Sequence, residues 1–120
     1  MAKIHSSNAE QIIALATDSL SDTAREGLVL VHFASPLYSG SQRVTEHLRQ
    51  LPEELDAFVE FREFQLNSED ASMIRRFDIE QLPTMLIFQN GQIVERIEVL
   101  MDPEDLENTL RNVVSFYAPI

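Results

Sequence analysis

Apolar residues recur along the chain at spacings that separate helix from strand. From about Asn8 to Arg25, Ile12, Ile13, Leu15, Ala16 and Leu20 fall at helical intervals, and Gly27 supplies a stop. Leu28 to Phe33 is then apolar except for His32, the pattern of a strand covered on both faces. Pro36 to Ser41 gathers turn residues, and Gln42 to Leu51, with Val44, Leu48 and Leu51 on one stripe, predicts a helix closed by Pro52. Phe58 to Leu66 predicts a second strand with partial alternation. Ser68-Glu69-Asp70 reads as a helix start, capped by Ser68 or Asn67, with Ala71, Ile74 and Phe77 as the apolar face. Thr84 to Phe88 is a third strand. Asn90-Gly91 is a hairpin signal, because a type I′ turn needs positive φ at both centres. Gln92 to Val99 is the returning strand, with Ile93, Glu95, Ile97 and Val99 on one side and Val94, Arg96 and Glu98 on the other. Asp102-Pro103-Glu104 opens a last helix, an N-cap followed by proline at the first helical position, with Leu106, Leu110, Val113 and Val114 as its stripe. With a short strand over Lys3 to His5 in front, the order predicts an α/β protein.

Length and composition narrow this further. A chain of 120 residues without linker, repeat or low-complexity tract is expected to form a single domain over residues 1–120. The first twenty residues lack a basic start and an apolar core, and no apolar run reaches membrane-spanning length, so a cytoplasmic protein is expected. Twenty acidic against nine basic side chains leave a net charge of −11, which repels phosphate backbones and anionic lipid. Nucleic acid and membrane are therefore not expected partners; the charge reads first as solubility, and a basic protein or peptide partner is the sharper alternative. There is no cysteine, which removes disulfides, thiolate metal sites and cysteine nucleophiles together. His5, His32 and His47 are isolated, so neither metal nor cofactor is expected. His32 and Ser41 suggest a base–nucleophile pair, but no third group or G-x-S-x-G elbow accompanies them, and a histidine inside an apolar strand is expected to be a core residue. The acidic clusters read as solvated helix ends.

The order of motifs resembles the thioredoxin family. Ile79-Glu80-Gln81-Leu82-Pro83-Thr84 is similar to the loop in which an apolar residue, a cis proline and a threonine face that family's active site. Asn90-Gly91 and Asp102-Pro103 fall where its hairpin turn and last helix begin. Val31-His32-Phe33 looks like its strand with a buried central aspartate. The resemblance covers about Ile4 to Val114. It implies a thioredoxin-like fold: a central mixed sheet with helices on both faces, a terminal hairpin and a helix. It also implies a cis bond before Pro83.

The departures from the family cluster at one site. The family's two cysteines correspond to Tyr38 and Ser41, its preceding tryptophan to Leu37, its buried acid to His32, its groove glycine to Val99 and its helix-kinking proline to Glu46. A thiolate is the nucleophile in thiol–disulfide exchange, so the resemblance points to a redox-inactive, non-enzymatic member. The expected function is binding of a protein or extended peptide through the former active-site face: Leu37, Tyr38, Ser39, Ser41, Leu82, Pro83 and Thr84, with Val99 as rim. Cysteine-poor relatives act as chaperones or assembly factors, for example in hydrogenase maturation. Ser39 or Ser41 also suits a helix cap. One alternative is a glutathione- or small-thiol-binding protein using the Tyr38 or Ser41 hydroxyl, a role implied by the same fold in glutathione transferases. Another is a homo-oligomer, in which a strand edge or Phe116-Tyr117 makes a structural dimerisation module.

Overall fold

The computed structural model describes residues 2–17, 27–67 and 70–117. Its elements are β1 (Ile4–Ser6), α1 (Ala9–Thr17), β2 (Leu28–Ala34), α2 (Ser39–Arg49), a 3-10 turn (Glu53–Ala57), β3 (Val59–Gln65), α3 (Ala71–Arg76), β4 (Thr84–Gln89), β5 (Gln92–Ile97) and α4 (Pro103–Tyr117). The five strands form one sheet in the order β1-β3-β2-β4-β5. β1, β3 and β2 are mutually parallel, whereas β4 and β5 run antiparallel to their neighbours. β2 is central and buried at all seven positions, as its apolar pattern, interrupted only by His32, leads one to expect.

Alternation along β2 divides the core into two layers. Leu28 and Leu30 face Val44 and Leu48 of α2 and Leu106, Leu110 and Val113 of α4. Val29, Val31 and Phe33 face Ile12 of α1 and Met73 of α3. Phe33, Phe77 and Phe88 stack through this second layer, with ring centroids 5.7 and 5.9 Å apart. Two helix starts are held by side-chain caps. Asn8 and Gln11 exchange side chain-to-amide hydrogen bonds of 2.9 and 2.8 Å, a capping box for α1. Asp102 accepts from the Asp105 amide at 2.8 Å, one residue before Pro103. Asn90 and Gly91 both have positive φ, 52° and 83°, as the hairpin demands.

Several expectations need correction. β1 lies at Ile4–Ser6, one residue later than expected. α1 is described only to Thr17, so the expected remainder to Arg25, with Leu20, lies outside the described residues. α2 starts at Ser39, earlier than Gln42, and its N-cap is Tyr38, without a capping side chain; neither Ser39 nor Ser41 caps it. α3 starts at Ala71 with Asp70 as N-cap, so Asn67 is not the cap; Ser68 lies outside the described residues. The buried face of α3 is Met73 with Phe77, while Ile74 is 38% exposed. β5 ends at Ile97, leaving Val99 beyond the strand. A bulge opposes Ile87 and Phe88 to Glu95 and Ile93, leaving Val94 between them. Val94 thereby joins Ile97 on the α2/α4 side, against the expected alternation.

Candidate functional site

Two loops meet at the end of the sheet where β2 stops and β4 starts. The first runs from Ser35 to Tyr38 into α2. The Ser35 carbonyl accepts from the Tyr38 amide at 3.1 Å, and the Ser35 hydroxyl accepts from the Leu37 amide at 3.2 Å. This tight turn pushes Leu37 outward until it is 96% exposed. Tyr38 folds back over the helix start: a Cβ on Gly40 would lie 2.5 Å from its ring. The glycine is there to admit the aromatic ring. Ser39 is exposed on the first turn. Ser41 is buried, and its hydroxyl oxygen accepts from the Ser35 amide at 3.1 Å. The expected Ser41 contact on the binding face, and Ser41 as an exposed thiol-handling hydroxyl, are therefore corrected: the side chain ties the loop to the helix.

The second loop carries Leu82 and Pro83, joined by a cis peptide bond as the resemblance implied. Leu82 is half-buried and Pro83 buried. Thr84 is fully buried, and its hydroxyl donates to the Gln81 carbonyl at 2.5 Å, so its side chain braces the loop instead of facing a ligand. Gln81 also donates to the Glu98 carbonyl at 2.9 Å, which ties this loop to the segment after β5. There Val99 and Leu100 are 56% and 40% exposed. The face thus keeps Leu37, Tyr38, Ser39, Leu82 and Val99 at the surface and turns Ser41 and Thr84 inward.

His32 lies beneath α2, wholly buried as expected. Parallel pairing sets it opposite Glu63 of β3, and its Nδ1 lies 3.5 Å from Glu63 Oε1. The Thr45 hydroxyl, descending from α2, sits 2.5 Å from the same oxygen and 3.1 Å from the Ser41 carbonyl. Gln65 donates to Oε2 at 2.9 Å. The His32 interaction, supported by the hydrogen bonds from Thr45 and Gln65, outweighs desolvation and holds the Glu63 carboxyl at about 2 against an ordinary 4.5. His32 Nε2 is buried without a hydrogen-bond partner among the described residues. The cluster is a polar strut between β2, β3 and α2, and it places no nucleophile at the surface.

A groove of about 560 Å³ joins the two loops to α3. Its apolar wall is Pro36, Leu37, Leu66, Ile74, Ile79 and Leu82. The end of α3 builds one side. The Ile79 amide bonds the Ile74 carbonyl at 2.9 Å and the Asp78 amide bonds the Arg75 carbonyl at 3.3 Å, with Asp78 at φ 52°. This is a Schellman turn, and it brings Ile74 and Ile79 together. Arg96 secures the turn from β5, donating to the Phe77 and Asp78 carbonyls at 2.8 and 3.1 Å. Leu66, Ile74, Ile79 and Glu80 had no site role in the sequence reading. Ile79 and Glu80 belong to the Ile79-to-Thr84 loop motif, and Ile74 to the expected apolar face of α3, but only the tertiary fold brings them together with Leu66.

The family's sequence profile for thioredoxin matches residues 11–112. The chain belongs to the thioredoxin family. Solved structures agree on the fold. Chloroplastic thioredoxin z is 16% identical, covering 96% of this chain and 97% of its own, with a TM-score of 0.74. A mutant thioredoxin from Halobacterium salinarum is also 16% identical, covering 98% and 93%, at 0.72. Thioredoxin f2, seen in complex with ferredoxin:thioredoxin reductase, is 12% identical, covering 92% and 94%, at 0.72. No curated protein matches by sequence. Within this family the chain is a cysteine-free member, and its 120 residues supply no thiolate for exchange chemistry. No helix among the described residues is long and apolar enough to cross a membrane.

Proposed function

We propose that this thioredoxin-family chain is a redox-inactive binding module of the chaperone or assembly-factor type, holding a protein or extended peptide on the former active-site face. The observation that carries this reading is the outward apolar rim that flanks the Pro83 loop. Leu37 is 96% exposed on one side and Val99 56% on the other, with no thiol between them. Apolar side chains gathered at one face are the kind of surface that marks an interaction site. Recognition of an extended segment by backbone and side-chain pockets needs no sulfur. A thioredoxin-fold neighbour captured in a protein complex is in keeping with this use of the fold.

The test is site-specific photo-cross-linking in native extract. A photoreactive phenylalanine analogue at position 37 is expected to trap a discrete protein, whereas the same group at exposed Asn108 on α4 is not. Leu37→Asp should abolish retention of that protein. Equal labelling from both positions, or retention unaffected by Leu37→Asp, overturns the reading.

A further inference from the structure

Resting on that reading, we propose that the groove between the Ile79-to-Leu82 loop and α3 selects a basic apolar segment: an extended peptide that seats an aliphatic side chain between Ile74, Ile79 and Leu82 and sets a lysine or arginine against Glu80. Among the described residues ten line the groove, and Glu80 is the single charged one of these. Its carboxylate is exposed and has no ion-pair partner among the described residues. Arg96, which crosses from β5 to the end of α3, spends its guanidinium on the Phe77 and Asp78 carbonyls. Arg75 and Arg76 belong to α3 but do not line the groove. An apolar slot with one free carboxylate at its edge is complementary to an aliphatic side chain with a cation close by.

The backbone of the bound segment fixes the spacing. In an extended peptide, alternate residues share a face and stand roughly 6.6 Å apart. With the side chain at position i in the slot beside Ile79, on this proposal the next residue on that face, i+2, is set against the adjacent Glu80. The recognised pattern is therefore aliphatic-x-Lys/Arg. At about 560 Å³ the groove has room for a large aliphatic side chain and part of its neighbours. The net charge of −11 adds long-range attraction for such a segment, while Glu80 supplies the local preference.

The test uses fluorescence anisotropy with three labelled octapeptides of one framework, carrying Leu-x-Arg, Leu-x-Glu or Ser-x-Arg. Leu-x-Arg is expected to bind best, Ser-x-Arg least, and Leu-x-Glu about three- to fivefold more weakly than Leu-x-Arg. Glu80→Lys, an exposed substitution, should reverse the order of the two leucine peptides. Ile74→Gln should weaken both. A preference for arginine that survives Glu80→Lys overturns the proposal, since net charge alone then explains it. Equal binding of Leu-x-Arg and Leu-x-Glu overturns it as well. If no peptide binds while cross-linking at position 37 still traps a protein, the proposal fails and the binding function stands. If neither occurs, both fail. Self-association removed by Ile74→Gln assigns the groove to a second copy, which also overturns it.

Discussion

Between pH 4.5 and about 2, Glu63 binds fewer protons in the folded chain than in the unfolded one, because its folded pKa is depressed by His32, Thr45 and Gln65. Its contribution to stability is therefore complete above about pH 4.5 and is lost as pH falls through about 2. Glu63→Gln is expected to flatten the stability curve in that window. Thr45→Val, which removes the hydroxyl donor, should raise the folded pKa, so that the loss still begins near pH 4.5 but levels off at a higher pH and is smaller; urea denaturation from about pH 2 to about pH 6 reads both. A curve unchanged in Glu63→Gln would show that other carboxylates govern the acid limb. Gly40 gives a second residue-scale outcome. The ring of Tyr38 occupies the space a Cβ would take, and that ring is the movable partner. Gly40→Ala should leave stability unchanged or raise it by up to about 1 kcal/mol, since alanine is the better helix former. It should also turn Tyr38 outward. With two tyrosines and no tryptophan in the chain, acrylamide quenching in a Tyr117→Phe background isolates Tyr38 and reports the displacement.

Elements were legible wherever a single local signal determined them. The burial of β2 followed from the apolar run Leu28 to Phe33, and the start of α4 followed from Asp102-Pro103. α3 was misread because six residues make fewer than two turns. Ile74–Phe77 and Met73–Phe77 are both permitted helical spacings, and the Schellman end selects the second by turning Ile74 toward the groove. The β5 alternation failed at Val94 because a bulge inserts a residue that period-2 counting does not anticipate. Asp78 carries the cost of the α3 end: it sits at the left-handed position where glycine is preferred, at φ 52°. Asp78→Gly should stabilise the fold by roughly 0.5–1 kcal/mol while keeping the Arg96 contacts to the backbone. Thermal denaturation checks the sign, and destabilisation would show that the aspartate side chain itself supports the turn.

Across the whole molecule, the site was less legible than the fold. Cis-Pro83 and the outward Leu37 were open to inference from the chain, but the groove draws on four separate stretches, around residues 36, 66, 74 and 81, that only folding brings together. The inward turn of Ser41 and Thr84 likewise depends on partners, the Ser35 amide and the Gln81 carbonyl, that residue type does not reveal. Charge, by contrast, is a property of the entire chain and was plain from composition. Twenty acidic and nine basic side chains share a body whose radius of gyration is 13.5 Å. At an ionic strength of about 0.01 M the Debye length is about 30 Å, so the excess carboxylates repel one another across the full molecule; at about 0.15 M it is about 8 Å and only near neighbours interact. The unfolded chain spreads the same charge over a larger volume, so low salt penalises the folded state more. Raising sodium chloride between these concentrations at neutral pH should therefore raise the melting temperature by on the order of a few degrees. The exposed pairs, such as Arg49–Glu46 and Arg111–Glu54, oppose this trend but are each worth little. Calorimetry at the two salt concentrations decides which term wins: a fall in melting temperature would mean that attractive pairs outweigh the net repulsion.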